Sequence, residues 1–223
     1  MSESADSIVA LVVEGDERLG LGGFLVLRRL HLRNRRGDGS VSPPYVCDLI
    51  VRPYGQDAVV VAIYARAGGE VRVLVRDGLR PALALGRDAA RAPLPEPPPA
   101  LTLTELVAGV VERGDRGEAG LRERAAHEVA EEAGFAVDAS AVQLLGAGAL
   151  PSPGCMTEKF YFAAVEVDPA AQARATGDGS PMEEGATTRW LPLDAAIDAC
   201  VRGEICDLKT ELGLRRLRDW LAR

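Results

Sequence analysis

The run LRERAAHEVAEEA, residues 121–133, constrains this chain more than any other stretch. It reads as one short helix ended by Gly134, since glycine most readily takes the left-handed conformation that closes a helix. At about 100° per residue, Glu128 and Glu132 stand nearly one above the other, and Glu131 lies on the adjoining flank. Like charges at this spacing destabilise an isolated helix by roughly 0.2–0.5 kcal/mol per pair, so something must offset them. Ala125, Ala126, Val129, Ala130 and Ala133 fill the neighbouring arc, a small-residue face that packs closely and leaves the carboxylates at its rim. Clustered carboxylate oxygens are what hard divalent cations bind. On a generic helix the competing reading is a plain solvated acidic face.

The flanking residues favour the first reading. HEVAEEAGF resembles the Nudix hydrolase signature: a glycine, five residues, a glutamate, seven residues, then R-E-U-x-E-E-x-G-U with U aliphatic. Glu128, Val129, Glu131, Glu132, Gly134 and the apolar Phe135 fall on that pattern. Upstream, Glu105-Leu106-Val107-Ala108-Gly109 is similar to the E-x-P-A-G segment that opens the box in ADP-ribose and nucleotide-sugar pyrophosphatases. There are three departures. His127 stands where the motif has arginine, Asp115 stands for the first glutamate, and about four extra residues fall within 116–123. The carboxylates survive these changes; the orienting pair of arginine and first glutamate does not survive in its usual form.

Further segments carry the same resemblance, which runs from residue 59 to the C-terminus. Arg76-Asp77-Gly78-Leu79-Arg80 is similar to the strand end R-x-Y-R ahead of the box, which implies that Arg76 and Arg80 grip substrate phosphates. The planar guanidinium fork suits that task. Glu105 is implied as a substrate-binding residue by its place in the opening segment. The run Pro151-Ser152-Pro153-Gly154 followed by Glu158 resembles a mobile loop whose acid activates water or holds a further metal, and Asp207-Leu208-Lys209-Thr210 resembles the D-x-K-T that opens the last helix.

The resemblance implies an α/β (α+β) Nudix fold, a mixed β-sheet sandwiched between helices, over residues 57–223. A small N-terminal β-sheet extension over residues 1–56 is its implied dimerisation element, making the chain a homodimer. The implied reaction is hydrolysis of the pyrophosphate bond of a small-molecule nucleoside diphosphate, ADP-ribose or a related sugar. Glu128, Glu131 and Glu132, with the Ala108 carbonyl, would hold Mg²⁺, and Mn²⁺ satisfies the same oxygen set. A catalytically silent Nudix domain that senses a nucleotide-sugar is the rival reading; the full set of three acids argues against it.

Along the rest of the chain, strands are expected over 8–13, 24–32, 45–51, 58–65, 70–75, 142–150, 160–167 and 188–193. Residues 58–65 are almost wholly apolar, as a strand covered on both faces requires. Residues 1–6 should be frayed, and 170–182 reads as a small-residue linker or surface loop. The prolines of Pro93–Pro99 favour extended polyproline II. Helices are expected from Asp194 to Arg202 and over 207–222.

A net charge of −7 argues against nucleic acid or an anionic membrane as partner. The apolar runs are too short to span a bilayer, and no secretory signal is visible, so the expected location is the cytoplasm. Cys47, Cys155, Cys200 and Cys206 show no C-x-x-C pairing and read as free thiols.

Overall fold

The computed structural model describes residues 7–96 and 100–223. The frayed start expected for 1–6, and the last part of the polyproline stretch at 97–99, lie outside the described residues. The chain divides into two compact units: Met1–Gln56 with Leu150–Lys159, and Asp57–Ala149 with Phe160–Arg223, each in its described part.

The first unit is an antiparallel sheet of β1 (Ile8–Leu19), β2 (Val26–Arg36) and β3 (Tyr45–Val51), in that order. Both β1 and β2 run beyond their apolar patterns. Cross-strand ion pairs extend them: Arg28 with Asp16 at 2.9 Å, and Arg33 with Glu14 at 2.7 Å. Opposite charges facing each other across a ladder support pairing where no apolar residue does. Among this unit's described apolar side chains, Val26 and Leu32 are the buried ones.

The second unit is built on a seven-stranded mixed sheet. Its strands are β4 (Ala58–Ala67), β5 (Glu70–Leu79), β6 (Thr102–Glu105), β7 (Val107–Val110), β8 (Gln143–Leu144), β9 (Phe160–Glu166) and β10 (Thr187–Pro192). The main path runs β10-β5-β4-β9-β8, with β6 paired to β5 and β7 to β4. The β4–β9 pair is parallel and the others antiparallel. Among the described residues, four α-helices accompany the sheet: α1 (Pro81–Gly86), α2 (Gly117–Ala133), α3 (Leu193–Val201) and α4 (Leu208–Leu221).

Strand β4 shows why its sequence is apolar throughout. Val59, Val61 and Ile63 pack with Ala125, Val129 and Ala133 of α2. The alternate residues Val60, Ala62 and Tyr64 pack with Ala196 and Ile197 of α3 and with Leu214 and Leu217 of α4. Successive strand side chains point to opposite faces, so one strand serves two cores. The sheet is therefore sandwiched between helices, as the resemblance implied.

Several local expectations shift. The strand expected over 142–150 shrinks to Gln143–Leu144 plus a bridge from Ala149 to Phe160, because Gly146 at φ 85° breaks the ladder between them. α3 starts at Leu193 with no side-chain cap, so Asp194 lies inside its first turn. α4 is capped by Asp207, whose carboxylate accepts from the Thr210 amide at 3.1 Å. No helix among the described residues is long and apolar enough to cross a membrane.

Candidate active site

Helix α2 begins at Gly117, a turn earlier than residue 121, and this extra turn absorbs the four inserted residues. Gly120 permits it. A Cβ at that position would stand 2.6 Å from the Asp115 carbonyl carbon and 2.8 Å from its Cα, so the loop folds directly against the helix.

Lengthening the helix relocates the orienting arginine. His127 occupies the motif position, yet Arg124, one turn before Glu128, is the residue that meets the loop. Its Nε donates to Asp115 Oδ2 at 2.8 Å, and its Nη2 lies 3.0 Å from Glu112 Oε1. Its Nη1 lies 3.8 Å from Glu128 Oε1. Burial raises the Asp115 pKa, but the bonds from Arg124 and the Glu112 amide outweigh it and hold the carboxyl below its ordinary range. Sequence reasoning missed Arg124; its i, i+4 spacing from Glu128 was the available signal. His127 turns instead to Glu131, with Nδ1 3.1 Å from Oε2.

The β4–β7 register explains how Glu128 fits. Gly109 pairs with Val59, whose side chain faces α2, so Gly109 faces α2 as well. A Cβ on Gly109 would fall on the Glu128 carboxyl group. The glycine is thus the floor on which that carboxylate rests.

Glu132 Oε2 accepts from the Ala108 N–H at 3.3 Å, and its Oε1 lies 3.5 Å from Arg76 Nη1. The Ala108 amide thus anchors Glu132, a contact separate from the metal-ligand role expected of the Ala108 carbonyl. Arg76 is only 4% exposed and donates from Nη2 to Glu183 at 3.3 Å. Gly78, two residues along β5, leaves it room: a Cβ there would lie 2.7 Å from Arg76 Nη1. Glu183 was also missed. Its only trace in the sequence is a place just ahead of β10, whose Thr188 pairs with Arg76.

Arg80 and Glu105 are brought together as an ion pair. The other Glu105 oxygen lies 2.6 Å from Lys209 Nζ, and Lys209 reaches Asp207 at 2.8 Å. Thr210 completes the joint, accepting from the Leu106 amide at 2.8 Å. The D-x-K-T residues therefore fasten α4 to the β6–β7 junction. Glu105 is buried with both oxygens engaged, so its direct partners are Arg80 and Lys209. Glu158 lies in the first unit, paired with Arg52.

Residues 170–182 do more than link. The carbonyls at the end of a helix lack intrahelical donors, and this segment supplies some. Gln172 Nε2 donates to Ala133 O at 3.0 Å, the Ala173 N–H to Gly134 O at 2.8 Å, and the Gly177 N–H to Glu131 O at 2.9 Å. A cleft of about 650 Å³ opens between this segment and the acids, lined by Arg76, Glu131, Glu132, Arg174, Glu183 and Thr188 among others.

Burial pushes the Glu128 carboxyl up to about 7, only partly opposed by Arg124. Burial does the same to Glu132, also to about 7, against Arg76 and the Ala108 amide. Two half-buried carboxylates whose charge is incompletely compensated form an oxygen donor set that fits a divalent cation.

A scan of protein-family models and a search of curated proteins each found no match. Among solved structures, an ADP compounds hydrolase superposes with a TM-score of 0.66 at 13% identity, over 97% of this chain and 97% of that one. The chain has the Nudix fold. A C. elegans Ap4A hydrolase binary complex (TM-score 0.44, 14% identity, 75% of this chain and 98% of that one) is a looser match. So is the NUDIX domain of Shewanella oneidensis NrtR complexed with ADP ribose (0.46, 12%, 75% and 88%). On the Nudix fold, the departures at Asp115, at His127 and within residues 116–123 all lie in the loop and helix that cover one face of the sheet.

Proposed function

We propose that this chain is a divalent-metal-dependent Nudix pyrophosphohydrolase that cleaves ADP-ribose or a related nucleoside diphosphate sugar into a nucleoside monophosphate and a sugar phosphate. The observation that carries the reading is the placement of two half-buried acids, Glu128 against Gly109 and Glu132 on the Ala108 amide, with Glu132 lining the cleft. The substrate class is supported by the fold shared with an ADP compounds hydrolase and by the E-x-x-A-G and P-S-P-G…E elements.

Glu128, Glu131 and Glu132 would hold the cation, Mg²⁺ or Mn²⁺. When bound, it supplies positive charge against the pyrophosphate oxygens and acidifies water. Arg76 holds Glu132 in place as its counter-ion. Arg80, kept oriented by Glu105, presents the more exposed guanidinium to a phosphate. Glu158 enters on its resemblance as the acid that activates or positions water. A turnover screen of nucleoside diphosphate sugars with Mg²⁺, run beside Glu132→Gln and Glu158→Gln, tests this reading. Glu132→Gln should lower turnover by roughly 100-fold or more while the circular dichroism spectrum stays unchanged. Equal rates for Glu132→Gln and the parent would remove Glu132 from the mechanism.

The active form is a homodimer built through the first unit. Edge strand β1 buries none of its twelve residues, although Ile8 (59% exposed), Leu11 (58%) and Val13 (58%) are apolar. A long apolar edge strand is a template for pairing with another chain. Sedimentation velocity should show a dimer for the parent and a monomer for Leu11→Asp/Val13→Asp; a monomeric parent would refute the assignment.

A further inference from the structure

The motif position that normally carries a permanently charged arginine carries His127 here, and neutral imidazole is a metal ligand whereas guanidinium is not. Its side chain is 57% exposed at the rim of the acid cluster. One ligand atom from each of His127, Glu128 and Glu131 lies within 4.8 Å of the other two. The 3.1 Å from His127 Nδ1 to Glu131 Oε2 also matches two ligands at right angles on one small divalent ion, which at bond lengths of about 2.1 Å stand roughly 3.0 Å apart. Because Arg124 has taken over the pairing with Asp115, the residue at 127 is released from that duty.

We propose that His127 donates an imidazole nitrogen to the cation held by Glu128 and Glu131, so that this site favours first-row transition ions over Mg²⁺. The inference rests on the metal-binding reading above and deepens it. An all-oxygen set suits Mg²⁺, whereas one nitrogen among the donors shifts preference toward the transition series.

The chain has two histidines, and His31 sits on β2 beside Glu17, 2.8 Å away, in the first unit. A nitrogen signal from a bound ion therefore has few sources. The probe is Mn²⁺ with tag-free full-length chain, read by electron spin-echo envelope modulation and by titration of the free-ion resonance, with Mg²⁺ measured by competition. The parent should show coupling to an imidazole nitrogen, and His127→Gln should lose it. The variant should bind Mn²⁺ about 10-fold more weakly, with Mg²⁺ affinity changing much less. The exposed position lets glutamine replace histidine without disturbing the core, and an unchanged melting temperature checks that directly. If Mn²⁺ binds the parent without nitrogen coupling, or the coupling persists in His127→Gln, His127 is not a ligand and the metal site stands without it. If Mn²⁺ does not bind the parent at all, the metal-dependent reading itself fails.

Discussion

Gly109→Ala is expected to remove metal binding and to cut turnover by roughly 100-fold or more, the scale that follows from displacing a reacting group by about 1 Å. The methyl group would occupy the place of the Glu128 carboxyl carbon, so the acid has to swing away from the sheet. The backbone of Gly109 does not lie in the left-handed region, so alanine is resisted there by space alone. Calorimetric titration with Mn²⁺ and a nucleoside diphosphate sugar assay read the two effects. In a Glu128→Gln background, itself already impaired, Gly109→Ala should cost little more turnover, because both changes act through one side chain. Full additivity of the two would show that Gly109 serves something other than Glu128.

The metal-free protein should lose stability as pH rises from about 5 to 8. Glu128 and Glu132 each titrate near 7 in the folded chain, above the ordinary 4.5, because burial disfavours their charged forms. The folded state therefore binds more protons than the unfolded one between those values. Stability falls as pH rises through that window and stays low above about 8. Each tenfold difference in proton affinity between the folded and unfolded states is worth about 1.4 kcal/mol. With the two groups coupled, a loss of about 3 kcal/mol is expected, or roughly 10 °C in melting temperature. A divalent cation, binding the ionised pair, should restore far more stability at pH 8 than at pH 5.5. Thermal melts in chelator and in excess Mg²⁺ at the two pH values measure this. A melting temperature that is flat with pH and indifferent to metal would mean the two acids are solvated.

The parts of the site that follow local rules were legible in the sequence. Glu128, Glu131 and Glu132 are fixed by helical periodicity, and Gly134 closes α2 at φ 74° as expected of a terminal glycine. The apolar run of β4 announced a strand covered on both faces. What the sequence hid depends on register and on distant contacts. Arg124 replaces the motif arginine only because the inserted residues became a helical turn and not a longer loop, and a spacing count cannot tell these apart. Glu183 reaches Arg76 through the β5–β10 pairing, across more than a hundred residues of chain. The segment over 170–182 looked like a spacer because its small residues carry no pattern; its order comes from hydrogen bonds to the end of α2. The polar second half of β1 was likewise unreadable until its ion-pair partners on β2 were known.

The clasp of Lys209 on Glu105 has a consequence for fluctuations. Lys209 belongs to the first turn of α4, and Glu105 is also the counter-charge of Arg80. Any transient detachment of the carboxyl-terminal helix leaves a buried acid with one cation where it had two, and Arg80 is then drawn more tightly inward. The reach of that guanidinium toward a ligand is thus tied to how often the far end of the polypeptide breathes, and amide exchange in α4 should slow when a phosphate compound occupies Arg80.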